Sequence, residues 1–332
     1  MKGFILAAGF GTRLWPLTED RTKAAIPFLN RPLISYAVEY LASCDIRDLI
    51  VNLHHQPESI RNALGNGSAL GVTIEYSIED EILGTSGALD KVRESLLDDD
   101  FVVINGKIVT NVDLGEVIAS HRSRGAIATL VLKKNTELEH FSIVEIDERS
   151  HITRFAGFPD IPQKAGAAGA SSGSHNSQIQ SKSAPLMFTG IQVLSPRIFK
   201  YIPRNCFSHS TLNVYPQAIA SGETVLGFTS PADWYEMSTL KRYLEAHLRL
   251  MTGGSVITGE NCLIEPGASV DQAVLWNNVT VESGARVSYS VLADGVRIPA
   301  GATIDRAVVV RRAIVRQLER GEIVGENVIV PI

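Results

Sequence analysis

The C-terminal part of the chain repeats itself. Three segments align: EPGASVDQAVLWNNVTV from Glu265, ESGARVSYSVLADGVRI from Glu282 and PAGATIDRAVVVRRAIV from Pro299. Their Gly-Ala pairs begin at Gly267, Gly284 and Gly301, a spacing of 17 residues each time. Within each unit single aliphatics recur six residues apart, as in Ile264 and Val270, Val281 and Val287, Ile298 and Ile304. Three such beats per unit describe a triangular coil of short parallel strands with the aliphatics pointing inward. One coil cannot bury its own edge, so consecutive coils must stack.

Upstream the rhythm changes. Short aliphatic runs at Gly3–Ala8 and Leu49–Leu53 alternate with helical patterns at Leu33–Ala42 and Pro57–Leu64, which predicts βαβ units. Further Val- and Ile-rich runs at Val72–Tyr76, Phe101–Ile104, Ala128–Leu132 and Ile143–Ile146 extend a mostly parallel sheet, whose ligands bind beyond the carboxyl ends of its strands. Residues 160–184 are rich in Gly, Ala, Ser and Gln with almost nothing to bury, and predict a mobile loop. Structure resumes at Leu186–Leu194, and a last helix is expected over Thr239–Met251 before Gly253 and Gly254 break it. The expected division is 1–252 for an α/β domain and 253–332 for the coil.

No apolar run approaches the ~20 residues that a membrane span needs. Lys plus Arg number 31 against 36 for Asp plus Glu, so the basic excess of a dedicated nucleic-acid binder is missing. Cys44, Cys206 and Cys262 form neither a CxxC pair nor a disulfide framework, which fits a reducing, cytoplasmic setting. The expectation is a protein with neither membrane nor nucleic acid among its partners.

The chemistry gathers in LAAGFGTRLWPLTEDRTK, Leu6 to Lys23, after the first strand. Small residues at Ala7, Ala8, Gly9 and Gly11 let backbone N–H groups approach a phosphate chain, where a Cβ would collide with it or forbid the dihedrals. Thr12 adds a hydroxyl donor. Arg13 brings a planar fork and Lys23 a mobile point charge, the two cation types suited to a polyphosphate. The spacing is neither GxGxxG nor that of a P-loop.

GxGTRLxPLT with a lysine ten residues after the arginine, followed by IPFLNRPLISYAVEYL, resembles the signature of the sugar nucleotidyltransferases, or NDP-sugar pyrophosphorylases. LGTSGAL (Leu83–Leu89) is similar to that family's base-contacting loop, FVVINGKIVTNVDL (Phe101–Leu114) to its central strand and metal loop, and ADWYEMST (Ala232–Thr239) to its Trp-x-Asp segment. The resemblance implies a Rossmann-like, mostly parallel α/β nucleotidyltransferase domain followed by a short left-handed β-helix of hexapeptide-like repeats. The implied substrates are a nucleoside triphosphate and a sugar 1-phosphate, whose oxygen attacks the α-phosphorus as pyrophosphate leaves. Arg13 would hold the pyrophosphate and Lys23 the α-phosphate. Leu6, Ala7, Ala8, Gly9, Gly11 and Thr12 would wrap the phosphates, while Gly84, Thr85, Ser86 and Gly87 would line the base. Asn105, Gly106, Thr189 and Gly190 would meet the sugar phosphate. The β-helix would join copies into a homo-oligomer.

The chain also departs from that family. Relatives bind Mg²⁺ through two aspartates, and here Lys107 and Glu236 stand in their places. Glu236 keeps an oxygen ligand, whereas an ammonium cannot coordinate magnesium. Either Glu236 with phosphates and water holds the ion, or Lys107 itself neutralises the triphosphate, or activity is impaired. Asp113 is a compensating ligand or a helix N-cap. FAGFP (Phe155–Pro159) lacks the family's Glu-Lys contacts to the sugar phosphate, for which Lys164 or Lys182 of the following loop would be the substitutes. His54 and His55 have no third ligand at fixed spacing and are expected to pack or hydrogen-bond. Trp15 and Trp234 are expected to wall the site, and Asp98–Asp100 to form a solvated turn. GTSG, the acidic stretch Glu79–Glu81 and the β-helix favour GTP with mannose 1-phosphate. VNLHHQPESI and FTGIQVLSPRIFKYIP favour UTP with muramic acid 1-phosphate. A non-catalytic nucleotide-sugar sensor is a third reading. A β-helix acetyltransferase is disfavoured because no histidine follows His247.

Overall fold

The computed structural model describes residues 1–136, 143–155, 184–252 and 254–332. The expected 160–184 loop, with Lys164 and Lys182, lies outside the described residues except for Ala184, as does FAGFP after Phe155. The chain forms two compact units assembled from interleaved stretches. One comprises residues 1–2, 83–103 and 112–232, and the other 3–82, 104–111 and 233–332.

The second of these units begins with three parallel strands, Lys2–Leu6, Asp48–Leu53 and Thr73–Ile78, paired so that Leu6 lies beside Asn52 and Asn52 beside Ser77. Phe4, Ile5, Ile50 and Val51 are buried, as expected of parallel strands covered on both faces. The helices Leu33–Ser43 and Pro57–Leu64 lie where the periodicity places them.

The repeat folds as a triangular parallel β-helix. One face stacks Val256–Thr258, Ala273–Leu275, Val291–Leu292 and Ala307–Arg311; the other two are built from Leu263–Ile264, Thr280–Val281 and Arg297–Ile298, and from Ser269–Asp271, Arg286–Ser288 and Thr303–Asp305. Every rung pairs residues 17 apart, for example Val270 with Val287 and Val287 with Ile304. Val281, Val287, Ile298 and Ile304 point into the coil as the six-residue beat requires. Ile264 does not: it is 39% exposed, because its strand belongs to the first coil and pairs with a neighbour on one side only.

The first face of the β-helix is buried on both sides. Leu275, Leu292 and Val309 fill the coil, while Val274, Val291 and Val308 pack outward into a core shared with Tyr243 and Leu244 of the helix Leu240–Leu250 and with Leu14, Trp15, Leu17 and Phe28. The coil is therefore fused by apolar contact to the segment that follows the glycine-rich loop. At the same seam His247 accepts from the Leu29 N–H at 3.1 Å through Nε2 while Nδ1 lies 2.8 Å from the Tyr243 carbonyl, so the ring is neutral there. Burial pushes its pKa down to about 4.

In the other unit the mostly parallel sheet carries antiparallel strands that the sequence does not announce. Leu186–Leu194 runs antiparallel to Ala128–Lys134 and to Ile143–Ile146, and Ile152–Phe155 is antiparallel to Ile143–Ile146, while Val225–Thr229 is parallel to Ala128–Lys134. Aliphatic content marks these residues as buried strands but carries no information on direction, which the connections decide.

Candidate active site

The glycine-rich loop leaves the first strand at its carboxyl end, and a row of hydrogen bonds across three strand ends holds it. The Ala7 N–H donates to Asn52 Oδ1 at 2.7 Å, and Asn52 Nδ2 donates to Glu79 Oε1 at 2.7 Å. Asn52 and Glu79 are each 2% exposed. The Glu79 carbonyl lies 2.8 Å from His54 Nδ1, and Phe10 sets its ring edge-on against His54. The two histidines thus take the packing and hydrogen-bonding role expected of them. Asn52 was missed in the sequence; its only signal was a polar residue inside an otherwise aliphatic strand.

Gly11 sits at φ +73°, in the left-handed region, and a Cβ there would come within 3.0 Å of Lys23 Cβ and 3.1 Å of Thr18 Cγ2. The lysine stem thus lies directly against this glycine, and the turn is closed by Leu14 N–H and Thr18 Oγ1, both donating to the Gly11 carbonyl at 2.8 and 3.2 Å. Gly9 has no atom of the described residues within 4 Å of its would-be Cβ, so their packing does not require it to be glycine. Ala7 and Ala8 are buried, Thr12 and Arg13 exposed.

Lys23 is half-buried, and its pKa is lowered to about 7 by burial and then by the charges of Lys107 and Arg13, against the opposing pull of Glu236. Lys23 therefore feels two other cations and one carboxylate. That carboxylate is placed by strand register: Trp234–Glu236 pairs antiparallel with Ile108–Thr110, setting Glu236 opposite Ile108, and the Met237 N–H donates to the Lys107 carbonyl at 3.2 Å. The Lys107 ammonium donates to Glu236 Oε1. Arg242 Nη1 donates to Oε2 at 2.9 Å, from a helix whose first turn is capped by the Thr239 hydroxyl. Burial would raise the Glu236 pKa, but the Lys107 charge and hydrogen bond, the Ser238 hydrogen bond and Lys23 together hold it below the usual range. Gly106 donates its N–H to the Leu6 carbonyl at 2.9 Å and packs on Ile5 and Ile34, which fixes the Asn105–Lys107 turn beside the loop.

These residues do not fit a magnesium ion held by the protein. Both Glu236 oxygens are occupied by cationic side chains, and Mg²⁺ demands a near-octahedral set of oxygens. Asp113 caps the helix Leu114–Ser123 by accepting from the Glu116 N–H at 3.1 Å. No group of three or more His, Cys, Asp or Glu among the described residues could hold a metal.

A strap from beyond the β-helix grips the same loop. Arg320 Nη2 donates to the Trp15 carbonyl at 2.6 Å and to the Arg13 carbonyl at 3.4 Å. Glu19 accepts from the Arg316 N–H at 2.8 Å and from Trp15 Nε1 at 2.9 Å. Trp15 is 4% exposed and belongs to the core rather than to a wall of the site. Trp234 lies on the short strand opposite Thr110.

The remaining site residues belong to the other unit. Gly84, at φ +76°, and Gly87 are small because the chain itself approaches them: a Cβ on Gly84 would strike the Ser208 carbonyl, and one on Gly87 would lie 2.6 Å from the Cys206 carbonyl. The Thr85 hydroxyl accepts from the Ser210 N–H at 2.8 Å, and buried Ser86 meets the Ser208 hydroxyl at 2.8 Å. Thr189 is buried, with its hydroxyl donating to the Val131 carbonyl at 2.8 Å, and Gly190, at φ +84°, sits in an irregularity of the ladder between Phe188 and Gln192. Asp99 and Asp100 pair with Arg122.

The Nucleotidyl transferase family profile matches residues 2–253, and the profile of the GlmU-like C-terminal hexapeptide matches residues 244–329, which identifies the coil as a left-handed β-helix. A UTP–glucose-1-phosphate uridylyltransferase of Synechocystis is 28% identical over 259 residues, 74% of this chain and 62% of the relative. A mannose-1-phosphate guanylyltransferase of Mycobacterium tuberculosis is 26% identical over 305 residues, 83% of this chain and 79% of the relative. A crystal structure of a protein described as a glucose-1-phosphate thymidylyltransferase, from Bacillus anthracis, superposes with a TM-score of 0.61 at 22% identity, covering 76% of this chain and 97% of the other. The chain thus spans under two thirds of the Synechocystis relative's length.

Proposed function

Because the chain belongs to the nucleotidyl transferase family, we propose that it joins a nucleoside triphosphate to a sugar 1-phosphate, releasing pyrophosphate and an NDP-sugar. The observation that carries this reading is the pair Lys107 and Lys23 beside the one buried carboxylate Glu236, with the Lys23 stem packed against the glycine loop at Gly11. A phosphate oxygen of the sugar 1-phosphate forms a bond to the α-phosphorus as the bond to the β-phosphate oxygen breaks. The negative charge passes to pyrophosphate, and no proton has to move. Positioning and charge stabilisation are then the protein's main tasks. Arg13, exposed and without an ion pair among the described residues, meets the departing pyrophosphate. Lys23, held against Gly11, meets the α-phosphate. Backbone N–H groups of Gly9 to Thr12 wrap the phosphates.

GTP with mannose 1-phosphate is the preferred pair. Guanylyltransferases such as the mycobacterial relative match 80–83% of the chain at 26–28% identity. The Synechocystis relative favours UTP as the alternative base donor. A cytoplasmic homo-oligomer accompanies the proposal. The three free cysteines support the compartment, and exposed Leu263 and Ile264 on the end coil support assembly.

The test is pyrophosphate release from GTP, UTP, ATP and dTTP, each with mannose, glucose and muramic acid 1-phosphates. Release should be fastest with GTP and mannose 1-phosphate; tight nucleotide-sugar binding without turnover on any pair would overturn the enzyme reading in favour of a sensor. On this reading Arg320 is a positioning residue. Arg320→Ala should lower kcat/KM about tenfold, the worth of one or two net hydrogen bonds, mainly through KM and with little change in Tm. Steady-state kinetics separates that outcome from a fall in kcat alone, which the strap does not predict.

A further inference from the structure

The site has more positive charge than its single carboxylate can neutralise, and the excess is built into the fold. Glu236 is fixed behind the cluster with its side chain 3% exposed, and Lys107 stands in front of it at 24% exposure, with one N–H on the carboxylate and its other two free of protein partners among the described residues. Arg242 takes the second carboxylate oxygen, so Glu236 has no oxygen edge left to offer a metal without displacing a cation. Lys23 and Arg13 lie close enough for their charges to act on one another. A divalent cation approaching Glu236 meets the Lys107 ammonium and the Arg242 guanidinium on its two oxygens, whereas a bare triphosphate meets the open N–H groups of Lys107.

From this geometry we infer that Lys107, locked by Glu236 and Arg242, is the resident counter-cation of the site, and that the protein accepts its nucleoside triphosphate without a chelated divalent ion. The inference rests on the proposed function and deepens it by naming the form of the substrate. Glu236 and Arg242 act here as positioning residues. The carboxylate orients the ammonium, and the guanidinium, bonded to the second oxygen, keeps the carboxylate in place when phosphates draw Lys107 forward. Magnesium that chelates the triphosphate in solution then competes with the pocket for the same oxygens.

Calorimetric titration of GTP and of UTP into the full chain, in EDTA and in excess Mg²⁺, tests this. The wild type should bind in EDTA at least as tightly as in Mg²⁺. Lys107→Gln should weaken binding in EDTA by about 10- to 100-fold, as expected for loss of a charge-assisted hydrogen bond. Lys107→Arg should stay within severalfold of the wild type. Lys107→Asp should bind poorly in EDTA and recover when Mg²⁺ is added. Melting temperatures show whether each variant is folded, and rescue by arginine attributes the loss to the charge. Wild-type binding that requires Mg²⁺, or equal binding by Lys107→Gln in EDTA, overturns the inference while leaving the nucleotidyltransferase reading intact. Absence of binding by either nucleotide in both conditions overturns the two together.

Discussion

Replacing Lys23 with methionine should cut kcat by about 10²- to 10³-fold, the usual consequence of losing one preorganised group that meets charge developing in a transition state. The same variant should melt higher than the wild type near pH 7. The two signs follow from one fact. Burial, Lys107 and Arg13 lower the Lys23 pKa to about 7, so the folded protein binds this proton less tightly than the unfolded chain, whose lysine keeps its ordinary value of 10.5. Below pH 7 the folded state carries the full penalty of the charged lysine. As pH rises from about 7 towards 10.5 the unfolded state holds more protons, and the penalty fades. The Tm advantage of Lys23→Met should therefore be largest at pH 6–7 and close towards pH 10, as calorimetry on the pair would show. Substrate phosphates pull the other way, favouring the ammonium, so nucleotide binding at pH 8 should take up a proton, and kcat/KM of the wild type should decline above about pH 7. A methionine variant less stable than the wild type at pH 7 would show that Lys23 is held by partners rather than crowded by cations.

Asn52→Leu is the second large effect, and it acts through the fold. Leucine has similar volume but neither accepts from the Ala7 N–H nor donates to Glu79, so one buried donor is orphaned and one buried carboxylate loses a neutral-to-charged hydrogen bond. The expected loss is about 2–4 kcal/mol, measured by urea unfolding. The loop would leave the first strand without its anchor, so nucleotide affinity should fall together with stability. Wild-type stability in Asn52→Leu would mean that the bonds to the Gly11 carbonyl hold the loop by themselves.

The glycine loop was readable because its constraints are local. Gly11 must adopt a positive φ within its own turn, and Lys23 returns to it within a dozen residues. The glycines of the 84–87 loop stood out only through the resemblance, as residues to line the base, and the approach of the chain's own backbone at Cys206 and Ser208 is something no local pattern could reveal. Lys107 stood out as an ammonium where the resemblance implied a carboxylate. Its meaning was not legible, because both its partner Glu236 and that partner's second cation Arg242 lie 129 residues or more further along the chain. Arg320 and Asn52 were passed over for the same reason, and Glu79 was read only as part of an acidic stretch. Each is an ordinary polar residue until a distant backbone group is set against it.

By itself the sequence determined the 17-residue coil, the strand–loop–cation order of the proposed phosphate site and the family, since periodicity and short motifs depend on side chains that are neighbours in the chain. Tertiary structure alone decided that the coil shares a core with the loop-bearing segment and that Lys107, Glu236 and Arg242 close into one charge cluster. Those outcomes depend on strand register and on which faces are buried together, and a one-residue slip would turn Glu236 to the opposite side of its ladder.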